Sequence, residues 1–311
     1  MKLTGGLLVC ALTLAACVAE PPTIKKSSKS RTPKADDTTE TQDPTTPEQP
    51  AQTTPPARGG IEQFPGSKLF MPPQTPAPAI VMLHGSEGGK EPFIGELATD
   101  IAAKGFVVLA LCWFQCPGMP DQILRAPLDR VASAGEWMKT SPDVANGRVG
   151  LFGWSRGGEQ AVLVTSLLKS ATPFAAVYVH APSDTIVGSY DPAKDDGTLE
   201  LDPKTGQQIP APAWTWHGAD LFGEPKSDYS VPGPRIRVED YPAPLFVSAG
   251  VNDEIWPVAR SHNIVNSRNA AAGLVTESHF WTGEGHVIQQ PANVTAFHTE
   301  IASFFQRQLA K

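Results

Sequence analysis

The sequence predicts an α/β protein, a mainly parallel central sheet with helices on both faces. Two observations carry this. From residue 58 onward, short and nearly continuous runs of Val, Ile and Leu recur, the pattern of strands buried on both sides rather than half-exposed. Between the first of these runs lie amphipathic stretches of helical length, and strands alternating with helices build parallel sheets.

The expected strands are AIVMLHG (79–85), FVVLALCW (106–113), RVGLFGW (148–154), FAAVYVHAP (174–182) and PLFVSAG (244–250), with a further strand leading into HFWTGEGHVI. Helices are expected over 92–104, 121–139 and 157–169. No internal repeat interrupts the order, so residues 58–311 read as one domain.

The 311 residues carry a net charge of −7 without a basic stripe. That argues against nucleic acid, and against anionic lipid held through a folded face. Residues 1–17, MKLTGGLLVCALTLAAC, hold one lysine, an apolar stretch too short to span a bilayer, and small residues, the build of an export signal. Its last four residues, LAAC, resemble the lipobox of bacterial lipoproteins. The resemblance implies cleavage before Cys17, diacylation of its sulfur and a place in the bacterial cell envelope; Val18 favours the outer membrane in the enterobacterial sorting pattern. Acyl chains at ~0.8 kcal/mol per buried CH₂ then anchor the protein without a spanning helix. Residues 18–57 are rich in Thr, Pro, Ser and charge and have no apolar face; they are expected to be a tether, because they cannot bury enough surface to offset ordering entropy.

Gly153-Trp154-Ser155-Arg156-Gly157 lies after an expected strand and before an expected helix. This is the context that turns G-x-S-x-G into a nucleophile elbow, a turn tight enough to demand glycines and to lift the serine above a helix N-terminus. A serine hydroxyl needs a base to take its proton and an acid to orient that base, and in elbow-bearing sheets these follow in the order acid, then histidine. Asp253 stands just beyond the strand PLFVSAG and His286 just after a Gly-x-Gly turn. Glu254 is the rival for the acid, one residue on, with its side chain expected to point elsewhere. The oxyanion needs two backbone donors. Arg156, which opens the helix, and Ser86, in the loop HGSEGG (84–89), are the candidates. His84 is expected to shape that loop, His180 to be structural, and His217 to face a substrate pocket; His262, His279 and His298 read as surface or core. No histidine pair has metal-ligand spacing, so neither metal nor cofactor is expected.

Residues 66–310 resemble the α/β-hydrolase domain of dienelactone hydrolases and of the C-terminal half of the acyl-CoA thioesterase and bile acid-CoA:amino acid N-acyltransferase family. The resemblance rests on GWSRGGEQAVLV, on GFVVLALCWF followed by GMPDQILRAPLDRVASAGEWM, on APLFVSAGVNDEIWP and on PAWTWHG (212–218). It implies the α/β-hydrolase fold and a triad of Ser155, Asp253 and His286 acting on an ester or thioester through an acyl-enzyme. The N-terminal β-sandwich of some relatives has no counterpart here, and serine where the acyltransferases can carry cysteine favours hydrolysis. Because coenzyme A is not expected outside the cytoplasmic membrane, a small carboxylic ester is the expected substrate. No protein partner is implied. Acyl transfer, amide cleavage and acyl binding without turnover stand as alternatives. Trp113, Phe114, Trp154 and Trp216 are candidates to touch the substrate, although Trp113 and Phe114 could equally pack against 212–218. Cys112 and Cys116 can form a disulfide only across a turn, since their Cα atoms must lie within about 7 Å; Pro117 and Gly118 make a turn plausible, and the pairing stays open.

Overall fold

The structure is a computed structural model that describes residues 61–90, 92–224 and 233–310. The signal segment 1–17 with Cys17, and the tether 18–57, lie outside the described residues.

In chain order the elements are β1 (Lys68–Phe70), β2 (Ala77–Leu83), α1 (Phe93–Ala103), β3 (Val107–Leu111), β4 (Ala126–Pro127), α2 (Asp129–Lys139), β5 (Val144–Trp154), α3 (Arg156–Leu168), β6 (Phe174–His180), β7 (Leu199–Leu201), β8 (Gln208–Pro210), β9 (Trp214–Trp216), β10 (Ala219–Leu221), β11 (Leu245–Gly250), α4 (Ala259–Asn269), β12 (Thr276–Trp281) and α5 (Pro291–Leu309). The main sheet runs β1-β3-β2-β5-β6-β11-β12. Only β1 is antiparallel to its neighbour; the other pairings are parallel. The α/β-hydrolase fold follows from that sheet and its helices.

Alternation along each strand divides two cores. Val81, Leu109, Leu151, Val177 and Val247 pack on one face, with Val131 of α2, Leu163 of α3 and Ile264 of α4. Ile80, Met82, Val108, Phe152, Tyr178 and Phe246 pack on the other, with Leu97 of α1 and Phe297, Ile301 and Phe304 of α5. Side chains of period two thus find an apolar partner on both sides, which is why the side chains of the central strands are mostly apolar, with His180 of β6 and Ser248 of β11 as buried polar exceptions. Truncating one of them, such as Leu151 to alanine, costs about 2–5 kcal/mol.

Two boundaries differ from expectation. The helix expected over 121–139 begins only at Asp129. Before it, Arg125 turns to φ 50°, and the N–H groups of Arg125 and Ala126 bond to the carbonyls of Pro212 and Ala213. The chain therefore forms a strand bridge with β9, and Pro127 has no N–H with which to continue a helix. The strand ending in the elbow starts at Val144, four residues earlier than expected. Among the described residues no helix is long and apolar enough to cross a membrane.

Candidate active site

β5, β11 and β12 lie close together in the sheet, and each ends just before one of the three expected triad residues. Ser155 stands between β5 and α3 with φ 53° and ψ −120°, a left-handed conformation that a non-glycine residue holds only when its surroundings fix it. Its N–H donates to the His180 carbonyl at 2.9 Å, and its own carbonyl accepts the Glu159 N–H at 2.9 Å. The elbow leaves no room around it. A Cβ on Gly153 would lie 2.3 Å from the Gly157 oxygen, and one on Gly157 would lie 2.4 Å from the His84 oxygen.

The three side chains meet. The Ser155 hydroxyl is 2.9 Å from His286 Nε2. His286 Nδ1 lies 2.8 Å from Asp253 Oδ2 and 3.0 Å from Oδ1, so the ring donates to the carboxylate and presents a bare Nε2 to the serine. Asp253 is held in turn by the N–H groups of Ile255 and Trp256 on Oδ1. Burial pushes its carboxyl up, but the bond and charge of His286 and those two amides outweigh it. The group stays below its ordinary range. Glu254 does not reach the imidazole; its Oε2 accepts the His286 backbone N–H at 3.3 Å.

The loop after β2 lies against Ser155, since a Cβ on Gly85 would be 3.0 Å from Ser155 Cβ. Ser86, half-buried, is the next residue of that loop, and Arg156 begins α3 beside Ser155. Glu87, which sequence reasoning passed over, takes the Gly85 N–H on its Oε1 at 2.8 Å. His84 is buried, which lowers its pKa to about 4. Its Nδ1 bonds to the Gly85 carbonyl, and its Nε2 faces the Trp113 N–H at 3.4 Å. One neutral tautomer satisfies both contacts. The ring therefore fastens the 84–89 loop to the 112–116 loop.

For two of the aromatic candidates the structure decides between open roles, and for a third, Trp154, it corrects the expectation. Trp113 and Phe114 are buried in the core. Trp113 stacks on His84 with centroids 4.8 Å apart and lies 5.2 Å from Trp214, so of the two roles open to it the structure shows packing. Trp154 shares strand parity with Phe152 and so faces the second core, against Phe93 and Phe297. Trp216 is half-buried on β9 against His217, whose Nδ1 pairs with Asp129 at 2.7 Å. Cys112 and Cys116 form a disulfide with Cα atoms 6.3 Å apart. The bend that permits it falls at Gln115, with φ 53°, rather than at Pro117 and Gly118 alone. His84 and these two cysteines cluster closely enough to suggest a metal site, but the sulfurs are bonded to each other and both His84 nitrogens face partners.

Sequence reasoning also missed Glu159, wholly buried in α3. Its Oε2 accepts from Arg156 at 2.7 Å, and its Oε1 accepts from the Trp214 indole and the Val187 amide. Burial pushes its carboxyl up, while the charge of Arg156 opposes the rise. The Arg156 guanidinium also donates to the Gly188 carbonyl and sits 5.0 Å over the Trp214 ring. The signal was present as a glutamate three residues after Arg156, at the start of a helix that continues as AVLV.

Residues 128–309 match the family model described as BAAT / Acyl-CoA thioester hydrolase C terminal. The chain belongs to this family. Mouse acyl-coenzyme A thioesterase 2, mitochondrial, is 33% identical over 129 residues, covering 41% of the chain and 27% of the mouse protein. Rat acyl-coenzyme A amino acid N-acyltransferase 2 is 33% identical over 116 residues, 37% of the chain and 27% of that protein. The match thus spans little more than a quarter of either relative. Among solved structures, Est1E from Butyrivibrio proteoclasticus superposes with a TM-score of 0.52 at 16% identity, covering 79% of the chain and 94% of Est1E. A truncated carbohydrate esterase from gut microbiota gives 0.54 at 13% identity, covering 79% and 91%. At such identities the likeness is one of fold.

Proposed function

We propose that this protein is a serine hydrolase that cleaves a carboxylic ester, or a thioester, through an acyl-enzyme on Ser155. The observation that carries the reading is the line Ser155 Oγ, His286 Nε2, His286 Nδ1, Asp253 Oδ2, with successive contacts of 2.9 and 2.8 Å across residues 131 and 33 positions apart. In this reading His286 accepts the hydroxyl proton as Oγ attacks the carbonyl carbon, and Asp253 steadies the imidazolium. The oxyanion forms at the N-terminus of α3, where the amides of Arg156 and of Ser86 in the 84–89 loop are the proposed donors and the helix dipole favours negative charge. The tetrahedral adduct collapses, the leaving alcohol or thiol takes the proton from His286, and water repeats the cycle on the acyl-enzyme. The family and its thioesterase relatives support an acyl substrate. The export signal read in residues 1–17 favours an ester over a coenzyme A thioester. Cys17, lipidated, is proposed to hold the enzyme on the envelope membrane, with residues 18–57 as its tether.

Labelling of the full chain with a fluorophosphonate, together with turnover of a short p-nitrophenyl ester, tests this. The wild type should be labelled, and Ser155→Ala should lose both labelling and about four to six orders of magnitude in kcat. A folded Ser155→Ala variant that still turns over the ester would remove the assignment, and an unlabelled, inactive wild type would leave a protein that only binds its acyl ligand.

A further inference from the structure

Four adjacent strands, β5, β6, β11 and β12, bring their carboxyl ends to the site, and only β6 yields no member of the triad. Its last residue is His180, wholly buried. The His180 carbonyl holds the Ser155 N–H at 2.9 Å. Its ring packs 4.4 Å from Trp154 of the elbow and 4.9 Å from Phe297. Its Nδ1 meets Ser248 Oγ at 2.9 Å, and that same oxygen accepts the Trp281 indole N–H at 2.9 Å. Ser248 is on β11, which leads to Asp253, and Trp281 ends β12, which leads to His286. The next peptide turns over, with Ala181 at φ 47°, so that its N–H clasps the Ser248 carbonyl at 2.7 Å. One residue thus touches the elements that deliver all three triad members.

Its Nε2 is buried with no hydrogen-bond partner, which is rare for a nitrogen in a core. Ser248 Oγ accepts from Trp281 and keeps a hydroxyl proton that it can give to Nδ1, the arrangement that places the ring proton on Nε2. The groups that bear on the ring are the side chain of His286, its backbone carbonyl and Asp253, with burial dominant in keeping the imidazole neutral, its pKa lowered to about 3. A lone pair facing a carbonyl would be repelled, whereas an N–H is attracted.

We infer that His180 is a positioning residue for His286, its Nε2–H directed at the His286 backbone carbonyl so that the base keeps its register over Ser155. The inference rests on the triad reading above. Hydrogen bonds of this kind are often long without substrate and shorten in the reacting complex. His180 does not touch substrate, so its effect falls on kcat rather than KM.

Two amides separate this from packing alone. His180→Asn keeps an acceptor, its Oδ1, near the position of Nδ1 and loses the group at Nε2, whereas His180→Gln carries an N–H to the Nε2 position; both lose the ring. With p-nitrophenyl ester and the full chain, His180→Asn should lower kcat about 10–100-fold at unchanged KM, the scale of a small misplacement of a catalytic group. His180→Gln should recover most of that loss while melting at the same temperature as His180→Asn. Equal kcat for the two amides, or losses confined to KM, would overturn the inference. Should substitution at 180 prevent folding, Ser248→Ala carries the same test, because it frees the ring to turn: kcat should fall about tenfold, and an unchanged kcat overturns the proposal. Ser155→Ala run alongside keeps the outcomes distinct. An active Ser155→Ala condemns the triad, whereas an inactive Ser155→Ala with an unaffected His180→Asn condemns only the role given to His180.

Discussion

Mild acid is the perturbation the buried imidazoles of His84 and His180 should report. Burial lowers their pKa values from 6.5 to about 4 and about 3. Each folded-state value lies below the unfolded one, so the native chain binds fewer protons than the unfolded chain. Their stability contribution is whole above pH 6.5 and is lost as pH falls towards the folded values. At pH 5 the unfolded imidazole lies about 1.5 units below its pKa, worth about 2 kcal/mol per ring and about 4 kcal/mol for the pair relative to pH 7. Asp253, whose carboxyl is lowered, loses its contribution only below the carboxylate range, outside this window. Glu159, whose carboxyl is raised, acts in the opposite direction and trims the total. With a slope of about 3 kcal/mol per molar urea, the unfolding midpoint followed by tryptophan fluorescence should fall by about 1 M between pH 7 and pH 5. In His84→Gln, which has no imidazole at that position, the difference between the two pH values should be about half as large. A midpoint equal at both pH values, or an unaltered difference in His84→Gln, would refute the reasoning.

Asp253→Asn should leave the fold intact by circular dichroism yet lower kcat about 10⁴-fold by favouring the wrong His286 tautomer, whereas Glu254→Gln, which alters only a contact to the His286 backbone, should cost less than about tenfold; the reverse ranking would move the acid to Glu254. Gly157→Ala forces a Cβ to 2.4 and 2.6 Å from the His84 and Leu83 carbonyls, so the urea midpoint should drop by an amount matching at least about 2 kcal/mol, and a variant as stable as wild type would contradict the tight elbow. Cys17→Ser should move the full-length protein out of the detergent phase in a partition assay, and retention there would defeat the lipid anchor.

The two-faced strands are legible because runs such as 79–85 and 174–182 are short, apolar and alternate with helical stretches. Ser155 and Asp253 are legible because each follows such a run, whereas His286 follows the more polar β12 and is marked instead by its Gly-x-Gly turn. What escaped notice was made by distant parts of the chain. β7 to β10 are three residues each, too short for a period to show, and they are held by remote partners such as Arg125 with Asp220 and Glu200. The helix over 121–139 was overextended because the partner of 125–126 lies near residue 213. Between pocket wall and packing the sequence leaves Trp113 and Phe114 open, because an aromatic at the carboxyl edge looks the same whether it faces a cleft or a histidine. Trp154 was different: its parity with Phe152 already assigned it to the far face.

The buried pair of Arg156 and Glu159 ties the residue beside the nucleophile to Val187, Gly188 and Trp214, all in the segment between β6 and β11. Removing one partner of such a pair costs about 3–5 kcal/mol. Natural or laboratory exchange of that segment therefore cannot proceed as a loop swap. A grafted segment must bring carbonyls and an indole that answer α3, or else arrive together with α3 itself. Selectivity and turnover in this lineage should then be inherited as a single cassette, and hybrids cut between them should fail at folding before they fail at chemistry.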